Sequence, residues 1–231
     1  MKFTILLSLS ATVGITGGND EAIEDYPYTV IIEHYKPDHR SCTGAIISEH
    51  YVLTTADCLK NINEKTIVRS RSSHLWNKGT EHWINTYDSR DWNGFTSGGI
   101  ALIRVSQPFL FDDIYKPIGL FEKNEIIKPG TIASVSGWTS NTSSDHIGLQ
   151  AINVTISEQK YCGNEMLCAI NPNYPGQFMS YGDEGNPLVI KGRLAGLLFQ
   201  WTRSSTQGAV DGYLPIANYR DRIDAYTKND V

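Results

Sequence analysis

At 231 residues, with 40% hydrophobic and 19% charged side chains, the chain is long enough to bury a sizeable core, as one all-β unit or two small domains. Its formal charge of -5 is mild and spread out, which argues against nucleic acid or an anionic membrane as the main partner. The body of the chain has no apolar run long enough to span a bilayer.

Lys2 is followed by FTILLSLSATVGI, a short apolar run ending among small residues, which reads as a secretory signal peptide over residues 1–14. Thr12 and Gly14 suit cleavage before Ile15, and a cut a few residues later is also compatible; the competing assignment is a buried first strand. Short β-rich runs follow in order: YTVIIEHY, TGAIIS, YVLTT, KTIVRS, GIALIRV, TIASVSGW, LQAINVTIS, GNPLVI, GRLAGLLFQW and GAVDGYLPI. Gly, Asn, Asp, Ser and Pro clusters separate them, the pattern of an antiparallel sandwich or barrel. The stretch FLFDDIYKPIGLFEKNEIIKPG, roughly 109–130, reads as a connector between two halves. Helical periodicity comes only at the end, where Ile216, Tyr219, Ile223 and Tyr226 form one apolar stripe after Pro215, predicting a closing helix over about 216–229.

Between the runs, RSRSSHLWNKGTEHW (69–83) gathers Arg69, Arg71, His74, Trp76, Lys78 and Trp83, types suited to an interface but equally at home on an ordinary exposed hairpin. Four cysteines in an exported chain suggest two disulfides. Sequence distance favours Cys42 with Cys58 and Cys162 with Cys168, although three pairings exist. There is no CxxC pair and no His/Cys cluster, so neither zinc nor any other metal or cofactor is expected. Asn141 (NTS) and Asn153 (NVT) are glycosylation acceptors in a secreted chain.

Four stretches together are specific. ITGGNDEAIEDYPYTV (15–30) resembles the mature N-terminus of trypsin-like serine proteases, and SCTGAIISEHYVLTTADCL (41–59) their histidine loop. GGIALIRV (98–105) resembles the segment that supplies their catalytic aspartate, and GDEGNPLV (182–189) their nucleophile turn. SGWT (136–139) and FQW (199–201) fall in order between and after them, so the similarity covers nearly all of residues 15–231. It implies an all-β fold of two six-stranded antiparallel barrels, about 15–115 and about 116–215, closed by a C-terminal helix. It also matches Cys42–Cys58 to the family bridge around the histidine loop, and Cys162–Cys168 to the second-barrel bridge with a shortened loop.

The departures fall on the chemistry. Asp57 stands where the family has its histidine base, Gly99 where it has its aspartate, and Glu184 at the nucleophile. A triad needs a hydroxyl nucleophile, an imidazole to shuttle its proton and a carboxylate to orient the imidazole. A carboxyl with an ordinary pKa of about 4 is a poor base for an alcohol at neutral pH. Glu184 would add an anion beside the oxyanion-hole amides of Gly182 and residue 184. Phe178 takes the position of the specificity residue at the pocket floor, expected to occlude it or simply to pack as core. Thr202 after Trp201 replaces a glycine that lets substrate backbone approach, and Ser180 replaces a pocket cysteine. Asp183 matches the acid that receives the family's new N-terminus, here Ile15; because Gly14 rather than Arg or Lys precedes Ile15, signal removal alone would expose it.

The way the triad is degraded resembles the scabies-mite inactivated serine protease paralogues, which are exported into the mite gut and interfere with host complement. The resemblance implies a secreted pseudoenzyme that binds complement proteins, with no nucleic-acid or membrane partner. Two alternatives are weighed beside it: a decoy that captures protease inhibitors or substrates, and a hydrolase using Asp57 and Glu184 as a carboxylate pair, which could otherwise hold a cation such as calcium.

Overall fold

A computed structural model describes residues 15, 17–34, 41–60, 62–75, 78–89, 99–138, 148–163, 165–173, 176–177, 179, 182–200 and 210–228. Its strands in chain order are β1 Asn19–Asp20, β2 Thr29–His34, β3 Ser41–Ile46, β4 Tyr51–Thr55, β5 Thr66–Ser70, β6 Thr80–Asp88 and β7 Ile100–Val105, followed by β8 Gly119–Leu120, β9 Ile132–Trp138, β10 Leu149–Ser157, β11 Leu167–Ile170, β12 Pro187–Ile190, β13 Arg193–Gln200 and β14 Val210–Pro215. One helix, α1, spans Arg220–Thr227. The first six long strands close a barrel in the order β2-β3-β4-β7-β6-β5. The second barrel closes as β9-β10-β11-β14-β13-β12, with β1 added to β10 and β8 to β13. Two closed six-stranded barrels and a terminal helix are therefore the architecture.

The strands that look uniformly apolar in sequence serve two cores at once. Successive side chains of a strand point to opposite faces, and in β7 Ala101, Ile103 and Val105 enter the first barrel while Ile100 and Leu102 face the other way. In β4, Val52 points in and Tyr51 and Leu53 point out. The second barrel mirrors this: Leu188 and Ile190 of β12 point in, and Val189 faces out. The outward sets of both barrels, with Leu194, Leu197, Leu214, Ile216 and Ile223, form one continuous seam. Burying each such side chain stabilises by about 1.5–3 kcal/mol, so the seam binds the barrels into one cooperative body.

The ends of the chain depart from the sequence expectations. Ile15 and β1, assigned with the first barrel, pack instead on the second: Asn19 and Asp20 pair with Ala151 and Gln150, and Ile15 is fully buried in the second core. The closing helix begins later than about 216. Pro215 ends β14, Ile216–Asn218 make a 3₁₀ turn, and only Arg220 starts the α-helix. The stripe still does its packing, with Ile216, Tyr219 and Ile223 in the seam and Tyr226 edge-on to Tyr51 at 6.1 Å. Residues 106–131 form the connector, carrying only β8. Among the described residues no helix is long and apolar enough to cross a membrane.

Both disulfides pair as the sequence distances favour, Cys42 with Cys58 and Cys162 with Cys168. The first barrel also contains a buried charge ladder across three strands. Arg69 on β5 donates through Nε and Nη2 to both carboxylate oxygens of Glu33 on β2, at 2.5 and 3.1 Å, and through Nη2 to Glu81 on β6 at 2.9 Å. Glu33 is fully buried, so removing it would strand a guanidinium in the barrel wall. Glu33→Ala is expected to cost about 3–5 kcal/mol in chemical denaturation, far more than Glu158→Ala in the exposed pair with Lys160, worth about 1 kcal/mol or less.

Candidate functional site

Three segments that carry the family's chemistry meet where the barrels touch. The turn Gly182–Asn186 precedes β12, the 3₁₀ turn Ala56–Leu59 follows β4, and Gly99 leads into β7. The Gly182 turn is bracketed by glycines for a steric reason. Gly182 and Gly185 have φ of +94° and +83°, left-handed conformations that favour glycine. At Gly185 a Cβ would also lie 2.0 Å from the Thr43 carbonyl oxygen and 2.6 Å from Thr54 Oγ1. The turn is pressed onto β3 and tied there, the Thr43 amide donating to the Glu184 carbonyl at 3.1 Å.

Glu184 therefore has little freedom. Its side chain is buried, 7% exposed, and Oε2 accepts a hydrogen bond from the Gly182 amide at 2.8 Å. That amide is one of the two donors that the family resemblance assigns to the oxyanion hole. The glutamate thus folds back and fills part of the hole with its own carboxylate, an arrangement of charge-assisted N–H···O⁻ type.

The other two positions are equally committed. Asp57 forms an ion pair with Lys60 one turn on, Oδ1 to Nζ 2.8 Å. Gly99 is buried and contributes only backbone, its carbonyl accepting from the Ala56 amide at 2.7 Å. Asp57, Gly99 and Glu184 thus stand on three segments that meet at one junction, and none of the three carries a hydroxyl or an imidazole. A carboxylate pair acting together is not favoured by this geometry, because Asp57 is turned to Lys60 and Glu184 to Gly182. Among the described residues no group of three His, Cys, Asp or Glu side chains gathers to hold a metal ion.

Asp183, next to Glu184, has the opposite fate. It is fully buried, and Oδ1 accepts from Asn186 Nδ2 at 2.9 Å. Its charge is felt at Tyr213, whose phenol is pushed well above its ordinary range by burial first and then by Asp211 and Asp183. Tyr213 belongs to the same core cluster as Ile15 and Met179. Ile15 thus lies in the core cluster of the tyrosine whose phenol feels Asp183. The strap leading from Ile15 is held by Gln177 Nε2, which donates to the Gly17 carbonyl at 2.9 Å, and by β1.

Asp211 was not singled out by sequence reasoning. It lies on β14 opposite Ala169, 1% exposed, a second buried acid beside Tyr213. The signal was present as an acid inside the strand run GAVDGYLPI, where a core-facing carboxylate is out of pattern. Phe178, Ser180, Trp201, Thr202 and Asn141 lie outside the described residues. Asn153 is exposed on β10, with its side chain on the face away from the core.

The family model described as Trypsin matches residues 15–223. Trypsin beta of Drosophila erecta is 30% identical over 256 residues, covering 96% of this chain and 98% of its own length. Trypsin delta of the same fly is 28% identical, covering 95% and 97%. Among solved structures, scabies mite inactivated protease paralogue S-I1 superposes with a TM-score of 0.80 at 23% identity, covering 92% of this chain and 99% of its own. Human heparin binding protein superposes with a TM-score of 0.81 at 21% identity, covering 93% and 97%.

Restoring the alcohol alone should not restore the chemistry, because Asp57 and Gly99 supply neither imidazole nor orienting acid. Glu184→Ser is expected to label with a fluorophosphonate probe about a million-fold more slowly than a trypsin control, read by in-gel fluorescence.

Proposed function

The chain belongs to the trypsin family, and from that premise we propose that it is a secreted, catalytically inactive member that acts by binding other proteins, with host complement components as its partners. The observation that carries the loss of catalysis is the Glu184 carboxylate on the Gly182 amide. Acyl transfer needs that amide free for the oxyanion that develops in the transition state, and one hole donor is worth about 3–4 kcal/mol. Here the donor is already taken by an anion, which would also repel a second negative charge. Absence of the serine and histidine removes about a million-fold more, roughly 8 kcal/mol. The two effects act on the same step and are not additive; the missing serine and histidine dominate, and the occupied hole donor would by itself slow turnover about a hundred- to a thousand-fold.

The scaffold has been kept while the catalysis has gone. The seam, both bridges and the turn geometry are those of a folded, export-ready domain. Two disulfides, the leader-like residues 1–14 and the exposed sequon at Asn153 support secretion. The assignment of complement as partner rests on the degraded triad and its resemblance to the mite paralogues, two of which, S-I1 and S-D1, are themselves called inactivated.

Export also provides the N-terminus. Removal of residues 1–14 leaves an ammonium at Ile15, whose side chain is already in the core around Tyr213. That ammonium pairs with Asp183, giving the buried carboxylate an opposite charge without a separate activation cut. Sequencing of the secreted protein is expected to begin at Ile15, and Asp183→Asn to lower its melting temperature by several degrees; a different first residue removes the ion pair.

A haemolysis assay with the recombinant protein tests the functional reading directly. Lysis should fall with added protein, a fluorogenic peptide panel should show no turnover, and serum pull-down should recover complement proteins rather than serpins. Undiminished lysis, or recovery of inhibitors alone, would point to the decoy function instead.

A further inference from the structure

At the rim of the first barrel, with none of the three triad positions in its lining, β6 and the connector enclose a concavity of about 710 Å³ that reaches Ile46, Ser70 and His82. That volume falls in the range of ligand-binding clefts. Trp83 stands at its edge, 50% exposed, and also lines a second hollow of about 210 Å³ farther along β6, beside Tyr87 and Glu64. The strand exposes Glu81, Trp83, Asn85, Thr86 and Tyr87, its register shifting between Ile84 and Thr86, and Trp83 lines both hollows, so the indole is the ridge between them.

The larger hollow has an aromatic wall, including Phe109, Phe111 and Tyr115, and an acidic rim. Its lining carries two carboxylates, Glu81 and Asp112, with side chains 50% and 47% exposed, against one guanidinium. That guanidinium, Arg71, is already committed: it sits 3.9 Å over the Tyr115 ring, pairs with Asp112 at 2.9 Å and donates to the Leu110 carbonyl. His82, 95% buried, adds no positive charge, since burial first, and then Arg71, lower its pKa from its ordinary 6.5. The smaller hollow adds a third acid, Glu64, among its lining side chains. The walls thus already hold one arginine by stacking and ion pairing; Glu81 is paired too, with Arg69 at 2.9 Å, but that guanidinium is shared with the buried Glu33, so the rim keeps a net negative charge beside the half-exposed indole.

We propose that this face is a docking site for an extended, arginine-bearing peptide segment of a partner protein, which runs along β6 and straddles Trp83. One arginine enters the larger hollow, stacking on the indole and facing Glu81 and Asp112; a second side chain enters the hollow beside Tyr87. Charge complementarity selects the occupant, because a guanidinium combines a planar face for an aromatic ring with donors for carboxylates. The chain's overall charge of -5 favours approach of such a basic segment. The site rests on the reading of the chain as a binding protein and specifies the chemistry of what it binds.

The test is a titration of the secreted chain, labelled with ¹⁵N at its tryptophan indoles, with the peptide acetyl-Arg-Gly-Arg-amide. The Trp83 resonance, identified by its loss in Trp83→Ala, should move and saturate. The dissociation constant should rise about tenfold in Glu81→Gln and in Asp112→Asn. Asp112→Asn leaves the buried Arg69–Glu33 pair untouched, so it reports even if Glu81→Gln weakens the barrel. A resonance that stays fixed would overturn the proposal. So would one that moves as far with the citrulline peptide or with acetyl-Glu-Gly-Glu-amide, or one that moves with protein concentration alone, the sign of a second copy. This outcome is separate from the haemolysis result: a chain that binds the peptide but spares lysis loses complement as its target, and one that blocks lysis without binding it loses this face.

Discussion

The turn Gly182–Asn186 must fit against Thr43, and that contact constrains everything around the old catalytic cleft. Glycine at 185, where a Cβ would lie 2.0 Å from the Thr43 carbonyl oxygen, lets the turn approach β3 closely enough for the Thr43 amide to donate to the Glu184 carbonyl. Once the Glu184 carbonyl is tied to the Thr43 amide, the side chain of residue 184 is aimed into a small buried space at the barrel junction. A serine placed there would present a hydroxyl to substrate. A glutamate is longer and must find donors, and the nearest is the Gly182 amide of its own turn. The same backbone that could build a catalytic centre therefore builds a self-filled one.

This explains how chemistry and stability come apart in this molecule. The seam between barrels, the buried Arg69–Glu33 pair with its exposed partner Glu81, and the two bridges do not involve the side chains at 57, 99 or 184. Gly99 and Ala56 still exchange the backbone hydrogen bond that sets the 3₁₀ turn, whatever side chains they carry. Asp57 meets Lys60 in a partly exposed pair, worth little in stability. Substitutions at such positions cost the fold almost nothing, whereas substitutions at Gly185 or Glu33 would be severe.

The proposed binding role moves attention from the cleft to the barrel walls. Most outward positions of the first barrel are used up by the seam, as Tyr51, Leu53, Ile100 and Leu102 show. Strand β6 lies on the far side, and its outward aromatics have no second barrel to cover them. The wall that carries Trp83 and Tyr87 is thus the place where this scaffold can offer a large apolar ridge to another molecule without disturbing its core.

The sequence alone outlined most of the long strands, favoured the disulfide partners and carried the resemblance to the family, because apolar runs, cysteine spacing and turn glycines are local features. GIALIRV and YVLTT were legible as strands from composition, but not the fact that alternate residues serve two different cores. Strands β6 and β11 escaped notice for different reasons: β6 buries the polar His82 and Asp88 and exposes Trp83, so it lacks an apolar alternation, and β11 has only four residues. The sequence likewise identified Asp57, Gly99 and Glu184 as departures, since each is a change of residue type. Only the tertiary structure decided that Glu184 takes the Gly182 amide, that Ile15 packs with the second barrel and that Asp211 joins Asp183 beside Tyr213. Those outcomes depend on groups far apart in the chain being brought together, and no local pattern encodes which donor or which charge a buried side chain will meet.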